Sequence, residues 1–549
     1  MITPDLWVPA NNLILEPNAL IAAKEQYRSL ALTAGPGAGK TELLAQKADF
    51  LLRTGMCPYP KRILAISFKK DASSNLKERV QLRCGKNLSR RFDSFTFHAF
   101  AKRIIDKYRV LLTGLDELEP NYSVGTQRIH KKQIDFDSLV PFALQIINSS
   151  NIVRKSILQT YSDVFLDEFQ DCTDTQYELI KAIFFNSNIK LTAVGDTKQR
   201  IMGWAGALDG IFLRFADDFN AQPLNMYRNF RSKPKLLRLQ NEIIRNLDPI
   251  AVMSEDLIVG NDGTIIHESF NNSSDEAEHL SNLIQTWIIE EHILPSDIAI
   301  LVSKQIEYYA FDLMIALKAK EIPFRNEQSM QDISTEPVAR LIIDYLLCLY
   351  GPRNPKAWTK VNELLSPFDI DEQARISIIR NFNHFFKQQK KKFLTTDYQP
   401  PIKSWINANR ALLKYLGLST LVALSPEYES KSYLIDVIEQ LENKIKAFLE
   451  QEADLLKALN SFDHDETVKL LTIHKSKGLE FHSVILLGIE NETIFGKLVD
   501  ERCAFFVGVS RAKERLILTE SRERRLNSPP NRWKTSRSAH DEFFNYRVE

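Results

Sequence analysis

Five cysteines, at positions 57, 84, 172, 348 and 503, are scattered over 549 residues with no CxxC pair among them. An odd, dispersed set excludes a disulfide framework and a cysteine-ligated zinc or iron–sulfur cluster, and fits a reducing cytoplasm. An excess of one charge is also lacking, since 71 Lys and Arg stand against 70 Asp and Glu for a net of +1. That balance neither supports nor excludes a nucleic-acid partner, because equal totals can hide a basic groove opposite an acidic face. No run reaches the roughly 18 uninterrupted apolar residues of a membrane span. Even the stretch from Leu341 to Tyr350 is broken by Asp344 and reads as a core helix, and the start shows no basic-then-apolar leader pattern.

What is present is an ordinary globular composition, 44% hydrophobic and 26% charged, in a chain long enough for two to four domains. Short apolar runs followed by a turn and a helical pattern recur at 30–33, 63–66, 164–166 and 191–194, and again at 298–302, 468–472 and 484–487. Repetition of this kind predicts an α/β fold with two parallel sheets wrapped by helices. Two spans, about 101–160 and 340–462, carry helical spacing without evident strands and predict helical insertions. After residue 521 the chain is basic, with Pro529-Pro530, and predicts a loosely ordered tail.

The chemistry concentrates first at Ala34-Gly35-Pro36-Gly37-Ala38-Gly39-Lys40-Thr41, between a strand-like run and a helical one. Glycines there let backbone N–H groups and a helix N-terminus face a polyphosphate. Lys40 is suited to the β/γ oxygens and the Thr41 hydroxyl to Mg²⁺. Asp167-Glu168-Phe169-Gln170-Asp171 follows another strand, with Asp167 assigned to the metal and Glu168 to the attacking water. Gln199, just past a third strand, suits a sensor of the γ-phosphate or its water.

With these in order, the sequence resembles a superfamily 1 helicase of the UvrD/Rep type, with motifs running from Ala34 to Lys513. The resemblance implies two RecA-like domains and a DNA-stimulated, Mg-ATP-dependent motor moving 3′ to 5′ on single-stranded DNA, with single/double-strand junctions as its substrate. It places Phe230 of Asn229-Phe230-Arg231-Ser232 on the adenine and Arg231 on the γ-phosphate. Within His474-Lys475-Ser476-Lys477-Gly478-Leu479-Glu480-Phe481 it gives His474 and Lys475 to DNA phosphates and Glu480 to the ribose. Arg511 of the 507–513 segment becomes a finger on the γ-phosphate. Phe68, Thr96, Phe97, His98 and Trp204 become DNA contacts, with aromatic faces on which bases stack. The implied domains are 1–235 and 236–520, each carrying one insertion, and a tail at 521–549.

Three departures stand out. No glutamine precedes the loop at 15–20, where Asn18 is the nearest substitute for an adenine reader. Glu42 occupies the position after the loop where the family commonly has a base-sandwiching arginine, and Met202 and Ala205 replace a tyrosine and an arginine. Short insertions also favour translocation over robust unwinding, which keeps open an alternative: a DNA-sensing, nucleotide-hydrolysing regulatory subunit of a partner nuclease. Lys387, Lys390, Lys391 and Lys392, with the tail arginines, read as solvated charge.

Overall fold

A computed structural model describes residues 2–546 except 69, 126, 200–209, 327–332, 334–335, 366–371, 395–403, 425–427, 429–430, 452–453, 461, 463–466, 495, 527–528 and 531–532. In chain order the first strands are β1 (Leu30–Ala34), β2 (Arg62–Ser67), β3 (Phe92–Thr96), β4 (Leu118–Gly125), β5 (Lys131–Asp135), β6 (Tyr161–Leu166), β7 (Lys190–Gly195) and β8 (Gln222–Met226). All but β4 and β5 join one parallel sheet in the order β3-β2-β6-β7-β1-β8. A second parallel sheet follows, built from β9 (Thr264–Phe270), β10 (Ile298–Val302), β11 (Phe324–Asn326), β12 (Val468–Thr472), β13 (Phe481–Leu486) and β14 (Ala512–Ser521). Its order is β11-β12-β10-β13-β14-β9.

Strands buried on both faces read as continuous apolar runs, because each face has its own helical layer to pack against. In β2, Leu64 and Ile66 enter a core with Phe97, Phe100 and Ile104, whereas Ile63 and Ala65 enter another with Leu44 and Phe50. The second sheet divides likewise, Ala299 and Leu301 facing Phe505 and Phe506 while Ile298, Ile300 and Val302 face Leu280 and Trp287. Helices from Pro337–Tyr350 to Leu455–Asn460 lie in the chain between β11 and β12 and build a separate core around Tyr345, Trp405 and Leu441.

Two expectations need correction. The span 101–160 is not purely helical: β4 and β5 pair within it, and their Leu118, Tyr122 and Ile134 join the core under the Phe97–Tyr108 and Leu139–Ser149 helices. The tail is not loose in its described part. Arg524 is buried between Glu276 at 2.8 Å and Glu490 at 2.7 Å. Both carboxylates keep the guanidinium charged against the burial that opposes it. Beyond it Phe543 stacks on Phe505 at 4.6 Å inside the second core. The arginines that read as solvated charge thus include a buried clamp.

Candidate functional site

β6, β7 and β1 are neighbours, so the loops leaving their carboxyl ends meet at one edge of the sheet, the usual ligand position in parallel α/β folds. The loop after β1 turns through Gly37 at φ 69° and Gly39 at φ 84° before the Lys40–Arg53 helix begins. Any side chain at Gly37 would collide with Asn229 Oδ1 at 2.2 Å and Arg231 Cβ at 2.6 Å. The second requirement for glycine is therefore packing, since the 229–231 segment lies directly on the loop. Phe230 N donates to Gly37 O at 3.0 Å, and Asn229 Oδ1 accepts from Arg231 N at 2.8 Å. Lys40 Nζ folds over the loop to donate to Ala34 O and Gly35 O, both at 3.2 Å. Ala34, Gly35, Pro36, Ala38 and Thr41 complete the loop, with Ala34 and Ala38 buried beneath it.

After β6, Asp167 is buried, and Glu168 sits at φ 52°, a left-handed conformation that a glutamate adopts only when its surroundings dictate it. Gln170 holds the Glu168 carboxylate in place, donating Nε2 to Oε2 at 2.6 Å while accepting from Asp196 N at 2.9 Å. Burial, then the Glu168 charge, pushes the Asp167 carboxyl up to about 7, with Lys40 opposing. Gln199 is also buried, its Nε2 on Asp196 Oδ2 at 2.9 Å.

The second lobe closes on this edge. Arg511, 1% exposed, donates to Gln199 Oε1 at 3.0 Å, and its other N–H groups reach Val507 O, Leu479 O and Ser510 Oγ. Burial, with Arg231 nearby, lowers its guanidinium to about 9. Arg231 Nε meets Glu480 Oε2 at 2.8 Å and its Nη1 the Ser510 carbonyl at 3.0 Å. Burial works against the Glu480 carboxylate, but Arg231 and Lys513 outweigh it and hold its pKa below the usual range. Lys477, buried, donates to both Asp171 oxygens at 2.8 and 2.6 Å and to the Gln199 carbonyl at 2.8 Å. Lys40, Thr41, Glu168, Gln199, Phe230, Arg231, Glu480 and Arg511 line one cleft of 770 Å³, in which Phe230 is 62% exposed.

Neither Lys477 nor Asp171 stands among the expected site residues, although both fall inside the quoted motifs. A lysine two residues after another carries no sequence signal that it, rather than its neighbour, is the buried one. Asn18, the substitute adenine reader, turns instead to the Asn225 carbonyl at 2.7 Å.

The DNA-contact expectations fare unevenly. Phe97 is 1% exposed and packs in the first core against Phe68 at 5.0 Å, so it has no face for a base and is withdrawn as a stacking residue. Position 97 starts a helix whose apolar face carries Phe97, Phe100, Ala101 and Ile104 inward. Phe68 is half-buried beside it, and Thr96 caps that helix by accepting from Ala99 N at 3.1 Å. His98 stacks on the exposed Phe136 at 4.0 Å, and burial lowers its pKa against the pull of Asp137. His474 and Lys475 are half-buried on the Ile473–Ser476 turn of helix. Trp204, with Met202 and Ala205, lies outside the described residues.

Sequence comparison assigns this architecture. The UvrD/REP helicase N-terminal domain matches residues 15–128 and 121–220, and the UvrD-like helicase C-terminal domain matches 224–368 and 370–523. The chain belongs to the UvrD/Rep helicase family. It is 24% identical to a probable DNA helicase II homolog of Mycoplasma capricolum, over 92% of this chain and 84% of that protein. DNA helicase II of Escherichia coli is 24% identical over 91% of this chain and 83% of its own length. ATP-dependent DNA helicase PcrA of Leuconostoc citreum is 23% identical over 90% and 80%. Within the UvrD/Rep family the two sheets are the paired RecA-like domains, and the 770 Å³ cleft lies between them.

Proposed function

We propose that the protein is an ATP-dependent DNA helicase and translocase that moves 3′ to 5′ on single-stranded DNA. The observation that carries this reading is the reach of Arg511 and Lys477 from one lobe onto Gln199 and Asp171 of the other, beside the phosphate loop. A hydrolytic site split between two lobes completes itself only on closure, which ties turnover to relative movement.

The donor set suits Mg²⁺: Thr41 offers a hydroxyl and Asp167 a buried carboxylate whose charged form an adjacent cation would restore. Thr41 and Asp167 would hold Mg²⁺ there, and the ion would supply positive charge to offset that of the transferring phosphoryl group. Lys40, released from its two loop carbonyls, grips the β/γ oxygens, and the loop N–H groups cradle the remainder. Glu168, held by Gln170, accepts the proton of the attacking water. Arg511 and Arg231 stabilise the charge that develops as the bond breaks, and Gln199 links Arg511 to the Asp196 side of the site.

Single-stranded DNA is assigned to His98, His474 and Lys475, with Phe68 and Thr96 supporting the first-lobe contact. The organisation we infer is a first lobe at 1–235, a second at 236–520, and a tail at 521–549 held to the second through Arg524 and Phe543. Strand displacement on 3′- and 5′-tailed duplexes tests the reading. Displacement of the 3′-tailed substrate alone is expected. Preference for a 5′ tail would overturn the polarity, and DNA-stimulated turnover with no displacement would favour the regulatory-subunit alternative.

A further inference from the structure

Glu42 follows the phosphate loop directly, yet its carboxylate is taken by another helix. Arg83 donates Nε to Glu42 Oε1 at 2.8 Å and Nη2 to Oε2 at 2.9 Å, a bidentate fork that fixes the guanidinium plane. Gln46 Nε2 braces the same carboxylate at 2.8 Å, and Arg79 stands 3.6 Å from it. The Glu42 and Arg83 side chains are 14% and 19% exposed, so this pair is held far more firmly than a solvated surface bridge. Asn75, Arg79 and Arg83 are spaced four apart on the Lys70–Ser89 helix, which puts them on one face. That face lines the cleft that also holds Phe230 and the loop.

Arg79 reaches Glu42 through Nη1 at 3.6 Å and its side chain is 39% exposed, so its plane is not fixed as that of Arg83 is. The polar side chains of the segment before the loop are committed elsewhere. Glu16 accepts from Tyr227 N at 3.3 Å and Arg228 N at 3.0 Å, Asn18 is turned to Asn225, and Ala19 has no polar atom. What remains for the part of a nucleotide that extends beyond the loop is an exposed aromatic ring and a planar, pre-aligned cation. Flat aromatic bases bind such surfaces through stacking and cation–π attraction.

We propose that Arg83, steered by Glu42, is the cationic face of the nucleobase pocket and acts with Phe230 on the base of the bound nucleoside triphosphate. The proposal rests on the ATPase reading above and adds to it a specificity-determining residue from the Lys70–Ser89 helix. Recognition is then by flatness and polarisability, favouring purines over pyrimidines.

The test is steady-state turnover with single-stranded DNA, using ATP and, in parallel, base-free ribose triphosphate. Arg83→Ala is expected to raise KM for ATP about tenfold while leaving kcat within about twofold, and to leave KM for the base-free triphosphate unchanged. Arg83→Lys keeps a charge for Glu42, so it preserves the local fold while losing the plane, and its KM for ATP is expected to rise similarly. Glu42→Arg combined with Arg83→Ala restores a guanidinium beside the loop and is expected to recover most of the loss. An unchanged KM for ATP in Arg83→Lys, or an equal rise for ATP and the base-free triphosphate, would overturn the proposal. Loss of DNA-stimulated turnover in the unmodified protein would instead overturn the helicase reading, so the two failures are distinguishable.

Discussion

Replacing Lys477 with Met should uncouple the lobes. Its ammonium holds both oxygens of Asp171 at 2.8 and 2.6 Å, and the two side chains are 2% and 6% exposed. Removing one partner of a buried ion pair costs about 3–5 kcal/mol, because the survivor is left charged and dry. Lys477 and Asp171 come from different lobes, so the penalty falls on the closed arrangement that also aligns Arg511 with Gln199. At one decade per 1.4 kcal/mol, the closed-to-open ratio should fall by roughly 10² to 4 × 10³. Saturating, DNA-stimulated ATP turnover is the assay, and a loss of about that size in kcat is expected. Adding Asp171→Asn removes the orphaned charge, so the double variant should recover at least about tenfold over Lys477→Met alone. Normal turnover in Lys477→Met, or a double variant as slow as the single one, would refute the reasoning.

Other expectations follow from the same contacts. Lys40→Ala should abolish turnover while leaving the thermal midpoint nearly unchanged, read by calorimetry, because its two bonds go to loop carbonyls at the cleft. Arg511→Ala should slow turnover about 10³-fold with nucleotide binding largely intact, as for a contact made in the transition state, and titration with a fluorescent nucleotide checks the binding. Arg524→Ala strands Glu276 and Glu490 and should destabilise the fold by about 3–5 kcal/mol in denaturant titration. Burial pulls the Lys47 ammonium down to about 8, against Asp163 and Glu25. From about pH 8 to 10 the unfolded chain therefore holds a proton that the folded one lacks, so this residue makes stability rise with pH across that window. Lys47→Met should flatten the rise in thermal midpoint, and an unaltered slope would contradict the assignment.

Interior strands were legible in the sequence and edge strands were not. β1, β2, β6, β7, β10, β12 and β13 each carry a continuous apolar run of at least two residues because helices cover both faces, and those runs stand out even where a polar residue such as Asp163, Lys469 or His482 lies in the same strand. The four edges, β3, β8, β9 and β11, keep polar residues such as Asp93, Gln222, His267 and Arg325, and β8 carries Pro223, tolerable where only one side of the strand is paired. β14, itself interior, was hidden for another reason, since Lys513, Glu514 and Arg515 follow its first residue and it ends at Ser521, where what reads as a basic tail begins.

At the site, residue types and spacing pointed to phosphate chemistry, because a glycine loop and an acidic strand end are local signals. Partners separated by hundreds of residues carry no such signal: Lys477 with Asp171 and Arg511 with Gln199 meet only once both sheets are folded. Phe97 shows the opposite limit. Its motif offered an aromatic face, but helical periodicity with Phe100 and Ile104 turned that face into the core.

In the proposed function the split cleft couples nucleotide hydrolysis to a single DNA strand. The most direct measurement is the ATP turnover of the intact chain with Mg²⁺, with and without single-stranded DNA, beside Lys40→Ala under the same conditions. Turnover that rises by at least about tenfold with DNA and vanishes in Lys40→Ala is the predicted result. Turnover in active protein that is indifferent to DNA would contradict it.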